Sequence, residues 1–433
     1  MFTYNEAIDS IYKNSSANTI DGVKYNLKNI LSFLKILGDP QNNYKSIHIA
    51  GTSGKGSTAT IISKLLVCHG FKVGLTLSPH ILDIRERLML NNQHISKSKF
   101  AQYYSEIYPW LHKFNLKNAV PLSFFETITS LAFYSFDREK VDYAVIETGL
   151  GGTLDATNTI SRVDKLSVVS KIGLDHTQIL GNSIREIAKH KAGIIQKKNT
   201  CVTTAEQEKE ALKVLKDRCK VQNSQLILAK PYNGQIAYLN LKGQYQLENI
   251  GLAMAAFEHI ASHDKFAINP RNIHFALSHI NIPARFTIIN HKNGPIILDG
   301  AHNVQKMKAF TESLVLLYPK SKFTFILAFK QGKDWQGMVD LIRPLALRIY
   351  ATTFKLDYEP ASLKCVAPEL IVNYCKSIGF KSAEYLLQAD LGNVIETFTD
   401  VLVFTGSLYF MSNILTNNSY LRNRYKIVIH GET

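Results

Sequence analysis

The chain has 433 residues, of which 45% are hydrophobic and 20% are charged, and its formal net charge is +15. This length exceeds what one hydrophobic core normally supports, so we expect two domains. No run of about 18 uncharged apolar residues is present, so we expect no membrane partner. The excess of basic residues favours anionic ligands, but it is spread along the chain without the basic and aromatic interleaving of RNA-binding modules, so we expect no nucleic-acid partner.

The cysteine content and the first residues of the chain indicate the cellular compartment. Five cysteines are scattered along the chain without a CxxC pair. Such an odd, dispersed set predicts reduced thiols rather than a disulfide framework or a zinc site. The start of the chain, MFTYNEAIDSIYKN, lacks the apolar region of a secretory signal. We therefore expect a cytoplasmic protein.

Strand-like and helical patterns alternate along most of the chain, which is typical of an α/β protein with mainly parallel sheets. The patterns predict a strand in KSIHIAG, a helix over 56–69, a strand in KVGLTLS, a buried helix in SFFETITSLAFYSF, and strands in VDYAVIETG and KLSVVSKIG. A helix follows from Ser183 to Lys191. Its cap is Asn182 or Ser183, with Glu186 placed for a capping box.

The same alternation continues through the rest of the chain. It predicts a strand in NTCVTT, a helix in EQEKEALKVLKDRC, a strand in QLILAK and a helix in QLENIGLAMAAFEHIAS. After Pro283 a new series starts with the strand PIILDGA and continues through VQKMKAFTESLVLL, SKFTFILAF, WQGMVDLI, LRIYATTF, PELIVNYCKSI and VLVFTGS. We therefore predict two doubly wound domains, 1–288 and 295–433, of which the first is larger.

The motif IHIAGTSGKGST places a glycine loop between a strand and a helix. This arrangement directs backbone N–H groups and a helix N-terminus at one point, which suits a phosphate. Lys55 would add a point charge, and Ser57 or Thr58 a hydroxyl. The match to the G-x-x-x-x-G-K-[ST] pattern is imperfect, because Gly56 stands where Ser or Thr belongs. A glycine-rich turn without a ligand is the alternative, but it would not require a lysine between two glycines.

Polar residues that directly follow predicted strands form a second constellation. The carboxyl ends of parallel strands meet in one crevice, so these residues should lie close together. Glu147 follows the apolar run VDYAVI, and a buried carboxylate needs a paired charge or a metal. With the Ser78 hydroxyl and a His176 nitrogen it would make a magnesium environment. Each of the three alone also has a structural explanation. Other polar residues that follow predicted strands are His80, Asp155, Asp175, Asp299, His302 and Asn303.

Lys191 lies on the inner side of the amphipathic helix that ends in AKHKAGI. A buried lysine is costly unless it is neutral or chemically modified. The alternative is a side chain that extends its ammonium group to water. The spacing leaves both interpretations open.

These motifs together resemble one known family. The segments that carry the resemblance are IHIAGTSGKGST, SPHILDIRERLMLN, SFFETITSLAF, VIETGLGGTLDATN, IGLDHTQILGNSIREIAKHKAGII, PARF, LDGAHN and FTGSLY. They are similar to the folylpolyglutamate synthase/dihydrofolate synthase family of Mur-type ATP-dependent amide ligases. The resemblance is dense from about residue 20 to 305 and thinner to Tyr409. It implies an N-terminal P-loop-type ATPase domain with a mostly parallel sheet and a smaller, Rossmann-like C-terminal domain.

The resemblance also implies site residues. The ATP-binding residues would be Gly54, Lys55, Gly56, Ser57, Asn249, Arg285, Asp299 and His302. The ligands of two Mg²⁺ ions would be Ser78, Glu147, His176 and Lys191, the last as a carbamate, and K⁺ is a further candidate ion. The pterin-binding residues would be Ser123, Phe124, Phe125, Glu126, Leu154, Asp155 and Ala156. The catalytic residues would be Lys55, Lys191 and His176.

The implied activity is that of an acid–amino-acid ligase. The enzyme would add L-glutamate to dihydropteroate and to folates through an acyl phosphate, in a crevice between the domains, with the second domain holding the glutamate. A single-activity member of the family is a close alternative. A Mur ligase of peptidoglycan synthesis and a P-loop ATPase regulator that does not ligate are more distant ones. The segment SPHILDIRERL resembles folate ligases only, which counts against a Mur ligase. We also expect the protein to be a monomer.

Three stretches depart from the family pattern. Its HQ pair before the ATP-contacting helix is Tyr245-Gln246 in this chain, and its NA pair is Asn249-Ile250. The proline of its DGAHNP motif is Val304. The glycine pattern before Lys333-Asp334 is altered. None of these changes falls on a proposed metal ligand or on the phosphate lysine.

Overall fold

The computed structural model describes residues 1–14, 26–234, 239–355 and 364–430. The chain forms two compact units, Met1–Ile236 with Glu248–Leu277 and Ala237–Leu247 with Ser278–Thr433. The predicted α/β class with two mostly parallel sheets is confirmed. The functional division into 1–288 and 295–433 stays a prediction.

The first unit is built on one large sheet. Its strands are β1 (Lys45–Ala50), β2 (Val73–Thr76), β3 (Met89–Leu90), β4 (Gln93–His94), β5 (Tyr143–Glu147), β6 (Leu166–Val169), β7 (Thr200–Thr204) and β8 (Gln225–Ala229). Their order is β4-β3-β2-β5-β1-β6-β7-β8. The pairs β2–β3 and β3–β4 are antiparallel, and the others are parallel. β1 is central, so the loop that follows it lies in the middle of the sheet's carboxyl edge.

Helices cover this sheet. They are α1 (Tyr4–Asn14), α2 (Lys28–Ile36), α3 (Lys55–Cys68), α4 (Lys97–Lys117), α5 (Phe124–Arg138), α6 (Thr177–Leu180), α7 (Ile184–Ala192), α8 (Lys209–Gln222), α9 (Tyr245–Asp264) and α10 (Pro270–Ser278). Every residue of β2, β5 and β6 is buried, as expected of parallel strands that are covered on both faces. Ser183 is the cap of α7, and its capping box with Glu186 is confirmed. No pattern in the sequence predicted α4, which contains Pro109.

The second unit has a smaller sheet. Its strands are β9 (Thr287–His291), β10 (Gly294–Leu298), β11 (Phe323–Leu327), β12 (Ala346–Ala351), β13 (Ala383–Tyr385) and β14 (Val401–Thr405), in the order β13-β12-β11-β14-β10-β9. Only the β9–β10 pair is antiparallel among these described strands. The helices are α11 (Val304–Leu317), α12 (Trp335–Ile342), α13 (Pro368–Ser377), α14 (Leu391–Thr397), α15 (Leu408–Asn417) and α16 (Ser419–His430). β9 occupies part of the stretch that the sequence patterns leave between the domains.

Short 3₁₀ turns complete the described structure, at Pro40–Asn42, Ile84–Arg87, Ala156–Thr159, Arg343–Leu345 and Gln388–Asp390. A search of the described helices found none with the length and apolar character needed to cross a bilayer. The cytoplasmic location and the monomeric state stay predictions.

Candidate active site

The glycine loop between β1 and α3 is held in a shape that side chains would disrupt. Gly51 has φ 149° and Gly54 has φ 86°. A Cβ on Gly51 would lie 1.9 Å from Ser170 Oγ, and one on Gly54 would lie 2.1 Å from Asn249 Oδ1. The loop therefore depends on glycine both for its backbone angles and for its close approach to neighbouring residues. Asn249, a predicted ATP-binding residue, is thereby placed against this loop.

Lys55 and Glu147 meet at the start of α3. Lys55 is the first residue of that helix, and its Nζ lies 3.7 Å from Glu147 Oε1. Glu147 ends β5 and is only 5% exposed. Its Oε2 accepts a 3.0 Å hydrogen bond from the backbone N–H of Ser78, and a Cβ on Gly56 would lie 3.3 Å from the same oxygen. The structure thus brings Lys55, Gly56, Ser78 and Glu147 together, although Ser78 contacts the carboxylate through its backbone.

The groups in this cluster are of the kinds that bind a phosphate and its Mg²⁺ ion. The N-terminus of α3 offers backbone donors and a partial positive charge, to which Lys55 adds a full one. Glu147 and the hydroxyl of Ser78 are the hard oxygen donors that Mg²⁺ prefers. No group of three His, Cys, Asp or Glu residues that could hold a metal ion exists in the described part of the chain. The lack of such a group in the described residues is compatible with Mg²⁺. That ion is usually held by one or two protein oxygens together with water and substrate phosphate.

Lys191 is buried beside the glycine loop. It is 5% exposed, and its Nζ donates a 2.8 Å hydrogen bond to the carbonyl oxygen of Gly51. Burial and, to a smaller extent, the charge of Lys55 lower the pKa of Lys191 to about 7, although Asp175 and Asp155 oppose this change. Of the two interpretations left open by the sequence, the buried lysine is correct. The lowered pKa favours the neutral amine, which is the form that reacts with CO₂.

His176 lies on a segment that is attached to the same loop. It is the N-cap residue of α6 with φ 51°, and its ring Nε2 is 3.9 Å from Asp175 Oδ1. Upstream, Thr52 Oγ1 donates a 3.0 Å hydrogen bond to the carbonyl oxygen of Gly173. The side chain of His176 is 42% exposed, so it faces solvent more than Glu147 or Lys191 does. The sequence identifies Asp175 only as a polar residue after a strand. In the structure its negative charge acts to raise the pKa of Lys191.

Two of the predicted pterin-binding residues form the capping box of α5. Ser123 Oγ accepts the backbone N–H of Glu126 at 3.2 Å, and Glu126 Oε2 accepts the backbone N–H of Ser123 at 2.9 Å. These bonds satisfy backbone donors at the helix start. The polar atoms of Ser123 and Glu126 therefore shape this turn of the chain.

Aromatic and apolar side chains surround that turn. Phe124 stacks on Tyr12 with ring centroids 4.9 Å apart, and the Arg87 guanidinium lies 5.1 Å from the centre of the Phe124 ring. Phe125 packs so closely on Gly149 that a Cβ there would lie 2.6 Å from the ring. Gly149 follows Glu147 by two residues. The aromatic surface formed by Phe124 and Phe125 therefore begins close to the Glu147 carboxylate. Flat rings of this kind suit stacking with a planar heterocycle.

The remaining predicted pterin-binding residues lie in the loop after β5. Asp155 is buried, and it accepts hydrogen bonds from the backbone N–H groups of Leu150 at 2.7 Å and Thr157 at 3.0 Å. Burial raises the pKa of Asp155, although these hydrogen bonds oppose the rise. Ala156 is buried, whereas Leu154 is 45% exposed. Asp155 therefore holds the loop, and Leu154 presents an apolar side chain.

The loop after β2 contains an anchor that the sequence analysis missed. Glu86 accepts the backbone N–H groups of Ile81, Leu82 and Asp83 at distances of 2.7, 2.6 and 3.0 Å. The carboxylates of Asp83 and Glu86 form a capping box for the 3₁₀ turn. The D-x-x-E spacing in LDIRE is the signal that could have identified it.

The predicted residues of the second unit surround the end of β10. Asp299 Oδ2 accepts the backbone N–H of Phe286 at 2.8 Å and the hydroxyl of Tyr245 at 2.9 Å, and Oδ1 accepts the backbone N–H of Ala301 at 2.8 Å. Burial raises the pKa of Asp299, while the charge of Arg285 and these hydrogen bonds lower it. Asp299 is thus the centre of a buried network, and Tyr245, which stands where the family pattern has histidine, is a member of it.

Arg285 lies between two residues in the left-handed region. Ala284 has φ 51° and Phe286 has φ 53°. Non-glycine residues adopt this conformation at a cost, and the surrounding contacts must hold it. The carbonyl oxygen of Ala284 accepts the backbone N–H of Gly300 at 2.9 Å, and Asp299 holds Phe286.

His302 lies two residues beyond Gly300. Its Nδ1 is 2.7 Å from the carbonyl oxygen of Gly300, and its Nε2 is 2.9 Å from Lys306 Nζ. The structure thus brings Arg285, Asp299 and His302 into one neighbourhood of the second unit.

Comparisons with known proteins give matches over most of the chain. Residues 282–417 match the model of the dihydrofolate synthetase C-terminal domain family. The chain is 30% identical to the dihydrofolate synthetase of Saccharomyces cerevisiae, with 93% of this chain and 100% of that protein covered. It is 29% identical to the dihydrofolate synthase/folylpolyglutamate synthase of Bacillus subtilis, with 91% and 95% covered. A folylpolyglutamate synthase solved with AMPPCP and folate superimposes with a TM-score of 0.80 at 27% identity, covering 96% of this chain and 99% of that one.

Proposed function

Because the chain belongs to the folylpolyglutamate synthase/dihydrofolate synthase family and is an ATP-dependent ligase, we propose that it joins L-glutamate to dihydropteroate and to folates. The observation that carries this proposal is the meeting of Lys55, Glu147 and the start of α3 at the glycine loop. These groups suit the phosphates of ATP and their magnesium ion.

The proposed reaction has two steps. A carboxylate oxygen of the pterin substrate attacks the γ-phosphorus of ATP, the β–γ bridging P–O bond breaks, and ADP leaves. The amino group of glutamate then attacks the carbonyl carbon of the acyl phosphate. A C–N bond forms, inorganic phosphate leaves with the C–O bonding pair, and the amine proton passes to solvent. ATP is needed because a free carboxylate is a poor acyl donor.

Lys55 and the amide groups of the loop would stabilise negative charge on the transferred phosphoryl group. In phosphoryl transfer the protein contributes mainly alignment and charge compensation. Removing one such electrostatic partner typically costs on the order of 10²–10³ in rate. The glycine loop is already held by hydrogen bonds from the backbone N–H groups of Thr52 and Ser53 to the carbonyl oxygen of Lys171, so it needs little reorganisation.

Glu147, Ser78 and His176 are the proposed magnesium-holding residues beside this loop, with carbamylated Lys191 for a second ion. Bound Mg²⁺ would neutralise phosphate charge. Glu147 is already fixed by Lys55 and by the Ser78 N–H. The carbamate would form when the neutral Lys191 amine adds to CO₂ and releases a proton, which converts the neutral amine into an anion.

The aromatic surface near Glu147 is the proposed pterin site. Phe124, Phe125 and Leu154 offer apolar faces, while Ser123, Glu126 and Asp155 hold the turns that present them. Arg285, Asp299, His302 and Asn249 are the further proposed ATP-binding residues, as the family resemblance implies.

Product analysis tests this proposal. The purified protein is supplied with Mg-ATP, L-glutamate and either dihydropteroate or tetrahydrofolate, and the products are identified by mass. We expect a glutamate adduct with each acceptor, together with ADP and phosphate. Product from one acceptor alone would identify a single-activity enzyme. ATP hydrolysis that needs neither glutamate nor a pterin acid would contradict the ligase assignment and favour a regulator.

A further inference from the structure

A polar cleft lies where strands β1, β5, β6 and β7 begin, at the amino edge of the first unit's sheet. It encloses about 70 Å³ and opens to solvent. That is below the roughly 300–1,000 Å³ of drug-sized ligand sites, so its occupant must be a small molecule or ion. The glycine loop follows the opposite end of β1. The length of β1, about five residue steps of roughly 3.3 Å each, separates the two places. The cleft is therefore distinct from the candidate active site.

The two acidic residues in the wall of this cleft already have cationic partners. Asp264 accepts from Lys45 Nζ at 2.7 Å and from His263 Nδ1 at 2.9 Å. Asp164 lies 2.6 Å from Arg162 Nη2. Because both carboxylates already have partners, they do not compete with a ligand for Lys165 or Lys198.

Lys165 is the residue that most requires a partner. It lines the cleft directly before β6 and is only 1% exposed. Its Nζ has no hydrogen-bond partner among the described residues. Burial lowers the pKa of Lys165 to about 7. An unpaired amine or ammonium in this position carries a desolvation cost that an incoming anion would relieve.

Two further basic side chains line the same cleft. Lys198 is exposed, and His259 is half-buried on α9. We propose that this cleft binds a phosphate-class oxyanion, with Lys165 as its buried contact and Lys198 and His259 as outer contacts. Several separate donors suit an anion with three or more oxygen atoms better than a single carboxylate. The site goes beyond the ligase activity and does not depend on it.

Calorimetric titration with inorganic phosphate tests the site, with chloride at equal ionic strength as the reference. All titrations use the Lys55→Ala variant as the background. Without the lysine of the glycine loop, phosphate binding at that loop contributes less to the measured heat. Lys165→Met is compared in this background with Lys213→Met, which changes an exposed lysine on α8. Circular dichroism confirms that each variant is folded.

We expect Lys165→Met to weaken phosphate binding about tenfold or more, because a hydrogen bond to a charged group is lost. Lys213→Met should leave the affinity unchanged. If Lys165→Met does not fold, the double change Lys198→Ala/His259→Ala should still weaken binding several-fold. Equal phosphate affinity with and without the cleft substitutions would overturn the proposal. Equally tight binding of glutarate would overturn the phosphate assignment.

Discussion

The hydroxyl of Tyr245 donates a 2.9 Å hydrogen bond to Asp299 Oδ2, the same oxygen that accepts the backbone N–H of Phe286. Tyr245 begins α9, and Asp299 follows β10, so one buried carboxylate connects a helix start to the left-handed segment that carries Arg285. A buried acceptor with several donors rigidifies the backbone around it. We infer that this network fixes the position of Arg285.

Tyr245→Phe removes the donor and leaves the ring in place. We expect the free energy of unfolding to fall by about 1.5–3 kcal/mol, the usual value of a hydrogen bond to a charged group, as measured by urea denaturation. Tyr318→Phe is the matched control in the same unit. An unchanged urea midpoint in Tyr245→Phe would contradict a stabilising role for this hydroxyl.

Lys55→Ala removes the charge at the start of α3. We expect kcat to fall on the order of 10²–10³ because the charge on the transferred phosphoryl group loses a partner. Lys64→Ala, on the same helix, is the control and should retain activity. Normal turnover in a folded Lys55→Ala protein would refute the phosphate assignment of the loop.

Lys191→Ala should inactivate the enzyme by removing the proposed carbamate. Short carboxylates such as acetate should restore part of the activity, because they supply an anionic oxygen ligand at the same place. In ¹³C-bicarbonate, a carbamate carbon signal should be present in the wild type and in Lys189→Ala and absent in Lys191→Ala. The same spectrum in all three proteins would exclude a carbamate on Lys191.

Glu147→Gln keeps an oxygen that can accept the Ser78 N–H but removes the negative charge. We expect a markedly higher Mg²⁺ concentration for half-maximal activity, because Mg²⁺ binds a carboxylate much more strongly than an amide. The measurement is a magnesium titration at saturating ATP. An unchanged titration curve would remove Glu147 from the ligand set.

Lys165→Met should change how stability depends on pH in phosphate-free buffer. The pKa of Lys165 is lowered by burial to about 7 in the folded protein, from an ordinary value of 10.5. Between these values the unfolded chain binds more protons, so the wild type should become more stable as pH rises, by up to about 1.4 kcal/mol per pH unit from this group. Denaturation at several pH values should show that the free energy of unfolding rises less steeply with pH in the variant than in the wild type. Equal slopes in the two proteins would contradict the burial of an ionisable amine.

Much of the first unit could be predicted because its signals are local. The apolar strand, the glycines and the amphipathic helix around Lys55 lie within about 25 residues of each other, and each has its own pattern. The capping box at Ser183 is another local pattern that the structure contains. Glu147 was identified because an acid after a fully apolar strand demands a partner, and Lys55 and Ser78 provide one.

Other features could not be predicted because they depend on distant residues. The Tyr245–Asp299 bond joins positions 54 residues apart. Ala284 and Phe286 adopt positive φ without being glycine, so no residue type marks that turn. Pro109 suggests a break within α4, but the helix continues through it. β9 was missed because TIINHKNG mixes apolar and polar residues, and only its pairing with β10 makes it a strand.

The central claim is that ATP activates a pterin-linked carboxylate as an acyl phosphate. The most direct measurement uses dihydropteroate labelled with ¹⁸O in its carboxylate, incubated with the enzyme, Mg-ATP and L-glutamate. We predict that one ¹⁸O atom from each turnover appears in inorganic phosphate, as read by ³¹P NMR or mass spectrometry. Amide product accompanied by unlabelled phosphate would contradict the claim.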